Sequence, residues 1–544
     1  MKKLINIDFF ILKYDNKIKI IFLSLLFLYS LYCALQLGHT WDVMFYYGVG
    51  KERLDYLFSL GSNKVNDLSY SSRFATGAYS TISAFFVQFF PRRYNLESIY
   101  FINLIFSIIT IFGIYKLTKE FFNKHIGQIT FVICFLNPIF FGHMAMNGMD
   151  TIITFVNVWI FYVIIKYFKK QHIQDKKNNY VIYCGLLLGL GLGVRPSIII
   201  TLIPILLFAI LEMFYFKIYV QKIFSKKIFF IDFLKVILIA YFFMVLFWTH
   251  THPNIFLLPF KLVFESFSFG FGTPFILFNG TIFNPGQLPS YYILLNLFYK
   301  MPEFYILSFF LFILFFYKMN FYFKNNINGY YFKIFTLFFI ILFPNFLLAI
   351  TPIPIYDGLR LFLFLIPYIC IIPSILIFFL FKNLKNNLYK FLFVFLIFMK
   401  IFFLFNFLSL TPYHYVYLNF FAGEYSKNLN KFENDYWGVS TKKLISSIKH
   451  NKVIFNDSKI KILVCGVPAD IQKKYLNKIN NLNYEIVGSE EDFDFVIMTN
   501  RVMLDKDNIN YDPKVAKTCF DKHKGEDIIK IERRGLVISK ITKV

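Results

Sequence analysis

The sequence predicts an α-helical membrane protein of many spans, followed by a small α/β domain that folds in water. Three observations carry this. Of 544 residues, 57% are hydrophobic, and they fall in long uninterrupted runs. The 57 Lys and Arg exceed the 32 Asp and Glu by 25, yet the lysines stand in short clusters between apolar runs, which is how cytoplasmic loops are charged. After Leu410 the apolar runs stop. The basic balance therefore reflects membrane topology and implies no nucleic acid, and the 77 Phe reflect compositional bias.

Apolar runs of about 15 to 22 residues stand near 20–37, 99–115, 126–142, 151–165, 180–194, 197–214, 230–248, 303–317, 331–350, 360–381 and 389–410, so about eleven transmembrane helices are expected. The first lacks a small-residue cleavage site and reads as a retained span. With the N-terminus cytoplasmic, Lys116, Lys119 and Lys124, then Lys166 to Lys177, then Lys217 to Lys227, and later Lys382, Lys385 and Lys390 all fall inside. Two longer segments, 38–98 and 249–301, face outward and are too polar to span. Helices lying on the membrane surface over a lipid-facing cavity suit them. The reading is thus a transmembrane domain over 1–410 and an outward, periplasmic α/β domain over 411–544, in the inner (plasma) membrane of the cell. In that tail Lys459 to Gly466 and Phe493 to Met498 read as strands and Ala469 to Asn480 as a helix. The six cysteines are scattered without metal-ligand spacing, and Cys465 and Cys519 are the two that an oxidising compartment would let pair.

Charges at the ends of apolar spans are costly and need partners, so the outward ones are informative. Asp42 follows the first span, in Leu37-Gly38-His39-Thr40-Trp41-Asp42. Asp150 opens the fourth span after Asn137-Pro138 to Met149. Arg195 closes a glycine-rich hairpin, Gly189-Leu190-Gly191-Leu192-Gly193-Val194-Arg195-Pro196. Arg360 opens the tenth span in Tyr356-Asp357-Gly358-Leu359-Arg360. The topology puts two acids and two arginines at one membrane face. Guanidinium forks bind phosphate oxygens and stay charged, and a nearby carboxylate can take a proton from an incoming hydroxyl. The ordinary alternative is that Asp42 caps an interfacial helix while the arginines snorkel to lipid headgroups and pair with the acids. His250 and His252 are weak candidates for a divalent metal.

These motifs, in this order and on this side of the membrane, resemble the GT-C glycosyltransferases, in particular the branch of dolichyl-phosphate-mannose protein mannosyltransferases and aminoarabinose lipid A transferases. Thr411-Pro412-Tyr413-His414-Tyr415 and Asp435-Tyr436-Trp437-Gly438 are similar to segments of bacterial members. The resemblance covers most of the chain. It implies a GT-C fold and transfer of a sugar from a polyprenyl-phosphate donor to a lipid, glycan or protein acceptor at the outer face, with inversion and with no required cofactor, a divalent metal being optional. Asp42 then matches the base, Asp150 an acid shaping the sugar or acceptor site, and Arg195 and Arg360 the contacts to donor phosphate, with Tyr356 and Asp357 beside them. One departure stands out: the mannosyltransferases often carry a second acid directly after the first, where this chain has Val43. Asp55 or Asp67 could supply a further acid, and spacing selects neither.

Rival readings are a flippase or transporter of lipid-linked sugars, a polysaccharide polymerase or ligase, and a non-catalytic assembly protein. Transporters of this size commonly show inverted repeats, and none is visible here.

Overall fold

The computed structural model describes residues 2–63, 73–74, 76–268, 275–351, 354–450, 459–480, 482–504 and 511–544. The chain opens with α1 (Lys2–Gln36). Residues 38–98 hold α2 (Trp41–Phe58) and α3 (Ala78–Val87). Then come α4 (Asn95–Phe121), α5 (Lys124–Phe135), α6 (Pro138–His143), α7 (Gly148–Lys170), α8 (Gln174–Leu192), α9 (Ile198–Leu211) and α10 (Lys226–Phe247). Residues 249–301 carry α11 (Leu258–Ser268), the hairpin of β1 (Ile276–Phe278) and β2 (Thr281–Phe283), and α12 (Tyr292–Lys300). The helical part ends with α13 (Glu303–Leu314), α14 (Phe316–Lys324), α15 (Tyr330–Ile350), α16 (Ile366–Ile369), α17 (Ile371–Lys382) and α18 (Asn387–Ser409).

The polytopic helical class is borne out, but the number of spans differs. Among the described residues eight helices are long and apolar enough to cross a membrane, or nine if α12 and α13, which meet at 114°, form one broken span. Three of the eleven expected runs are realised otherwise. The run at 126–142 breaks into α5 and α6 because the Asn137 side chain accepts the amides of Ile139 and Phe140 and Pro138 sits at the first helical position, where its missing N–H costs nothing. The run at 180–194 belongs to α8, whose first turns, Gln174-Asp175-Lys176-Lys177, are polar. The run at 303–317 stops as a helix at Leu314.

Burial ranks the helices. The apolar window of Arg360–Lys382 is 89% buried, against 17% for α1 and for α18, so the former is the axis of the bundle and the latter two present apolar side chains to lipid. α11 exposes Phe260 and Phe264 and buries Leu262.

The C-terminal domain adds α19 (Thr441–Ser446), β3 (Ile460–Cys465), α20 (Ala469–Leu476), β4 (Tyr484–Val487), β5 (Phe495–Thr499), α21 (Cys519–Lys522), β6 (Glu526–Arg533) and β7 (Leu536–Lys543). Its strands form one mixed sheet in the order β4-β3-β5-β7-β6, with β3 parallel to β4 and β5 and β7 antiparallel to β5 and β6. Cys465 at the end of β3 and Cys519 at the start of α21 are joined by a disulfide.

This domain is seated directly on the helices. Gly38 N–H donates to the Val439 carbonyl at 2.8 Å, and the Lys442 ammonium donates to the carbonyls of Leu35 and Leu37, satisfying the open C-terminal end of α1. Tyr475 of α20 accepts the His39 N–H at 2.6 Å, and Tyr100 of α4 accepts the Thr40 N–H at 3.0 Å. A Cβ on Gly142 would stand 2.4 Å from the Tyr415 nitrogen, so α6 and the tail approach as closely as they do only because this residue lacks one. The short segment 38–41, held from both sides, fixes where α2 begins.

Candidate active site

Asp42 lies in the first turn of α2, where a carboxylate is favoured by the positive end of the helix. Its side chain is 42% exposed. Asp150 lies in the first turn of α7, and there the local sequence builds a reciprocal cap. The Asn147 side-chain Oδ1 accepts the Asp150 N–H at 3.1 Å, and the Asn147 side-chain amide donates to Asp150 Oδ2 at 2.9 Å. Arg195 follows α8 in a turn whose Val194 and Arg195 amides both return to the Gly191 carbonyl at 3.0 Å. Arg360 begins the 3-10 turns that lead into α16.

Tyr356 to Arg360 is a tight corner. Asp357 and Gly358 both have positive φ, 55° and 65°. Asp tolerates this conformation and glycine takes it without strain, while a Cβ at 358 would crowd the Lys300 Nζ at 2.6 Å. The Gly358 N–H donates to the Tyr292 hydroxyl at 3.0 Å. The corner aims both the Asp357 carboxylate and the Arg360 guanidinium into the same space.

The structure brings together five of the charged residues expected from sequence. Arg360 is the hub: its Nη1 is 2.8 Å from Asp357 Oδ2, its Nη2 3.6 Å from Asp42 Oδ2 and its Nε 3.6 Å from Asp150 Oδ2. Arg195 Nη1 lies 2.8 Å from the other Asp150 oxygen. The Tyr356 ring packs on the Arg360 guanidinium at 4.9 Å. Tyr46 of α2 stands in the same group; burial, with Asp42 beside it, raises its phenol above the ordinary range. Asp150, Asp357 and Arg360 are nearly sealed while Asp42 is open, so the acid that solvent and ligand can reach is Asp42.

The remaining candidates lie apart. His252 places Nδ1 3.2 Å from the Tyr56 hydroxyl and Nε2 2.9 Å from the Val245 carbonyl. Among the described residues no three His, Cys, Asp or Glu side chains converge as a metal site, so His250 and His252 are not drawn into a ligand cluster. Asp55 sits further along α2 than Asp42, and Asp67 lies outside the described residues.

Sequence reasoning misses what the C-terminal domain contributes. The Trp437 ring packs on the Arg360 guanidinium at 5.0 Å. Its turn is organised by the buried Asp435, which accepts from the Tyr415 hydroxyl at 2.6 Å and from the amides of Val439 and Ser440. Arg501, just past β5, brings Nη2 to 3.5 Å from Asp357 Oδ1 and lies 5.3 Å over the Trp41 ring. Behind Asp357, a narrow cleft is lined by Tyr292, Asn296, Lys300 and Glu433. One signal pointed to Arg501: a charged side chain at the carboxyl end of a strand in a parallel pair, where α/β sheets gather ligands.

The profile of the dolichyl-phosphate-mannose-protein mannosyltransferase family matches residues 79–248, from α3 to just past α10. That segment contains Asp150 and Arg195. The whole architecture superposes on ArnT from Cupriavidus metallidurans, solved with undecaprenyl phosphate bound: TM-score 0.50, 8% identity, covering 96% of this chain and 97% of that one. The apo form of the same protein gives 0.50 at 9% identity over 97% and 98%. The chain has the GT-C fold. The resemblance read from the sequence motifs is thereby borne out, with the small sheet domain in its expected place after the helices. The oligosaccharyltransferase of Archaeoglobus fulgidus in its apo form is a more distant likeness, with TM-score 0.44 at 11% identity over 87% of this chain and 69% of that one. No curated protein sequence matches significantly.

Proposed function

We propose that this GT-C membrane protein transfers a sugar from a polyprenyl-phosphate donor to an acceptor at the outer face of the membrane, with inversion at the anomeric carbon. One observation carries the reading: a single open carboxylate, Asp42, stands at the rim of a buried arginine cluster centred on Arg360. An acceptor hydroxyl or amine attacks the anomeric carbon while Asp42 takes its proton, and the bond from that carbon to the phosphate oxygen breaks. The electron pair leaves with the phosphate, whose charge Arg360 and Arg195 stabilise. A single displacement of this kind inverts the carbon. The acceptor is a lipid, glycan or protein.

Orientation follows the same argument. The C-terminal domain is seated on the same end of the bundle as the site, and its disulfide between Cys465 and Cys519 supports an oxidising compartment outside the cytoplasm. A cytoplasmic N-terminus and a periplasmic C-terminal domain in the inner membrane fit both.

The test is sugar transfer in membranes supplied with radiolabelled polyprenyl-phosphate sugars, comparing the parent with Asp42→Asn. Label reaching an acceptor only with the parent is expected. Equal transfer by the two removes Asp42 as base, and labelled lipid crossing the bilayer without transfer turns the reading into transport.

A further inference from the structure

The carboxylates around Arg360 outnumber it. Asp42, Asp150 and Asp357 all lie within 3.6 Å of its guanidinium nitrogens. A guanidinium shared among three acids has little charge left for an incoming phosphate, because like-signed ligands compete for the same donors. Two other arginines relieve it. Arg195 pairs with Asp150, and Arg501 pairs with Asp357. Arg195 belongs to the helices. Arg501 comes from the C-terminal domain.

The local structure makes this delivery specific. On one side of Arg501, the Asn500 amide donates to the carbonyls of Leu429 and Phe432 at 2.8 and 2.7 Å. On the other, the Val502 N–H donates to Glu433 Oε1 at 2.9 Å. Between them the Arg501 carbonyl accepts the Cys519 N–H at 2.9 Å, beside the disulfide. With its backbone and both neighbours tied down, the Arg501 side chain is left to point at Trp41 and Asp357, and Nη1 donates to the Tyr436 carbonyl. It is 8% exposed.

Resting on the proposed donor chemistry, we propose that Arg501 is a positioning residue of the lipid-phosphate site: by holding Asp357, it leaves Arg360 free to bind the donor phosphate. The C-terminal domain is then a component of the donor site.

The experiment uses the full chain, purified in detergent, and undecaprenyl phosphate as the probe, with binding followed by thermophoresis. R501Q is expected to raise the dissociation constant about tenfold or more, near 1.4 kcal/mol, while R501K, which keeps the charge, recovers most of the affinity. The double variant D357N/R501Q is expected to bind more tightly than R501Q alone, because removing Asp357 removes the charge that Arg501 balances. A purely structural role for Arg501 predicts no such reversal. R501Q binding as well as the parent overturns the proposal, and so does a double variant weaker than R501Q. If R501Q does not fold, the D357N background carries the test: D357N and D357N/R501K are expected to bind within about twofold of each other, and a larger gap overturns the proposal. A parent protein that does not bind the lipid phosphate overturns the donor reading and the proposal together, whereas parent binding matched by R501Q overturns the proposal alone.

Discussion

The Arg360 guanidinium and the Trp437 indole meet at 5.0 Å, one from the helical core and the other from the C-terminal domain. The Tyr356 ring also packs on this guanidinium, at 4.9 Å, while its nitrogens reach the acids. Stacking of this kind fixes the plane of the fork without using any of its donors. The indole is 3% exposed, so its packing and its stacking are separable by substitution. Trp437→Phe keeps most of the apolar volume and is expected to lower transfer severalfold with a small shift in melting temperature. Trp437→Ala is expected to cost about 3–5 kcal/mol of stability as well. Initial rates and thermal unfolding of the two variants check this.

Arg360→Lys keeps the charge but loses the planar fork that reaches three carboxylates at once. Transfer is expected to fall about a hundredfold or more, and Arg360→Ala further, since buried Asp150 and Asp357 are then left with one fewer counter-charge. Donor saturation curves for the Lys variant check the assignment, which requires a rise in donor KM.

Asn147 acts on the site at one remove. Its side chain both caps α7 and donates to the Asp150 oxygen that faces Arg360. Asn147→Ala is expected to cost about 1 kcal/mol of stability from the lost cap and to lower transfer, while Asn147→Asp, which keeps the cap but places a second carboxylate beside Asp150, is expected to lower transfer more than stability. Rates and melting temperatures of the pair separate the two effects.

Glu433 gives the C-terminal domain a pH dependence of unusual sign. Burial lifts its carboxyl to about 7, with Asp357 adding to the rise and Arg501 and Lys300 opposing it. In the unfolded chain a glutamate titrates near about 4.3. Between those values the folded protein holds more protons than the unfolded one, so this group's contribution to stability falls as pH rises from about 4.5 to 7 and is level above. Glu433→Gln is expected to flatten that part of the profile, raising the melting temperature relative to the parent more at pH 8 than at pH 5. A parallel profile for the two proteins contradicts it.

Asp42, Asp150, Arg195 and Arg360 were legible in the sequence because each is a charge at the end of an apolar run, a place where an unpaired charge is too costly to be accidental. Asp357 was legible as the neighbour of Arg360. That they meet follows from topology, since all were assigned to one face. Trp437 was legible only as part of a motif and Arg501 only as a charge past a strand end, and that they, Lys300 and Glu433 reach the site was not legible, because no periodicity or spacing states how a water-soluble domain docks on a bundle. Their place depends on the Gly38 to Val439 and His39 to Tyr475 contacts, which join distant parts of the chain. The miscounted spans have a local cause: runs were read by hydropathy alone, and Asn137-Pro138 breaks a helix without interrupting an apolar run.

The sheet order sets a schedule for the protein's own synthesis. β5, which leads into Arg501, is flanked on one side by β3 and on the other by β7, at residues 536–543. A ribosome working from the N-terminus inserts every helix of the bundle, and every acid of the site, before the strand that completes this sheet exists. Arg501 therefore joins the cluster around Arg360 only after the last strand, which completes the sheet beside β5, has been made.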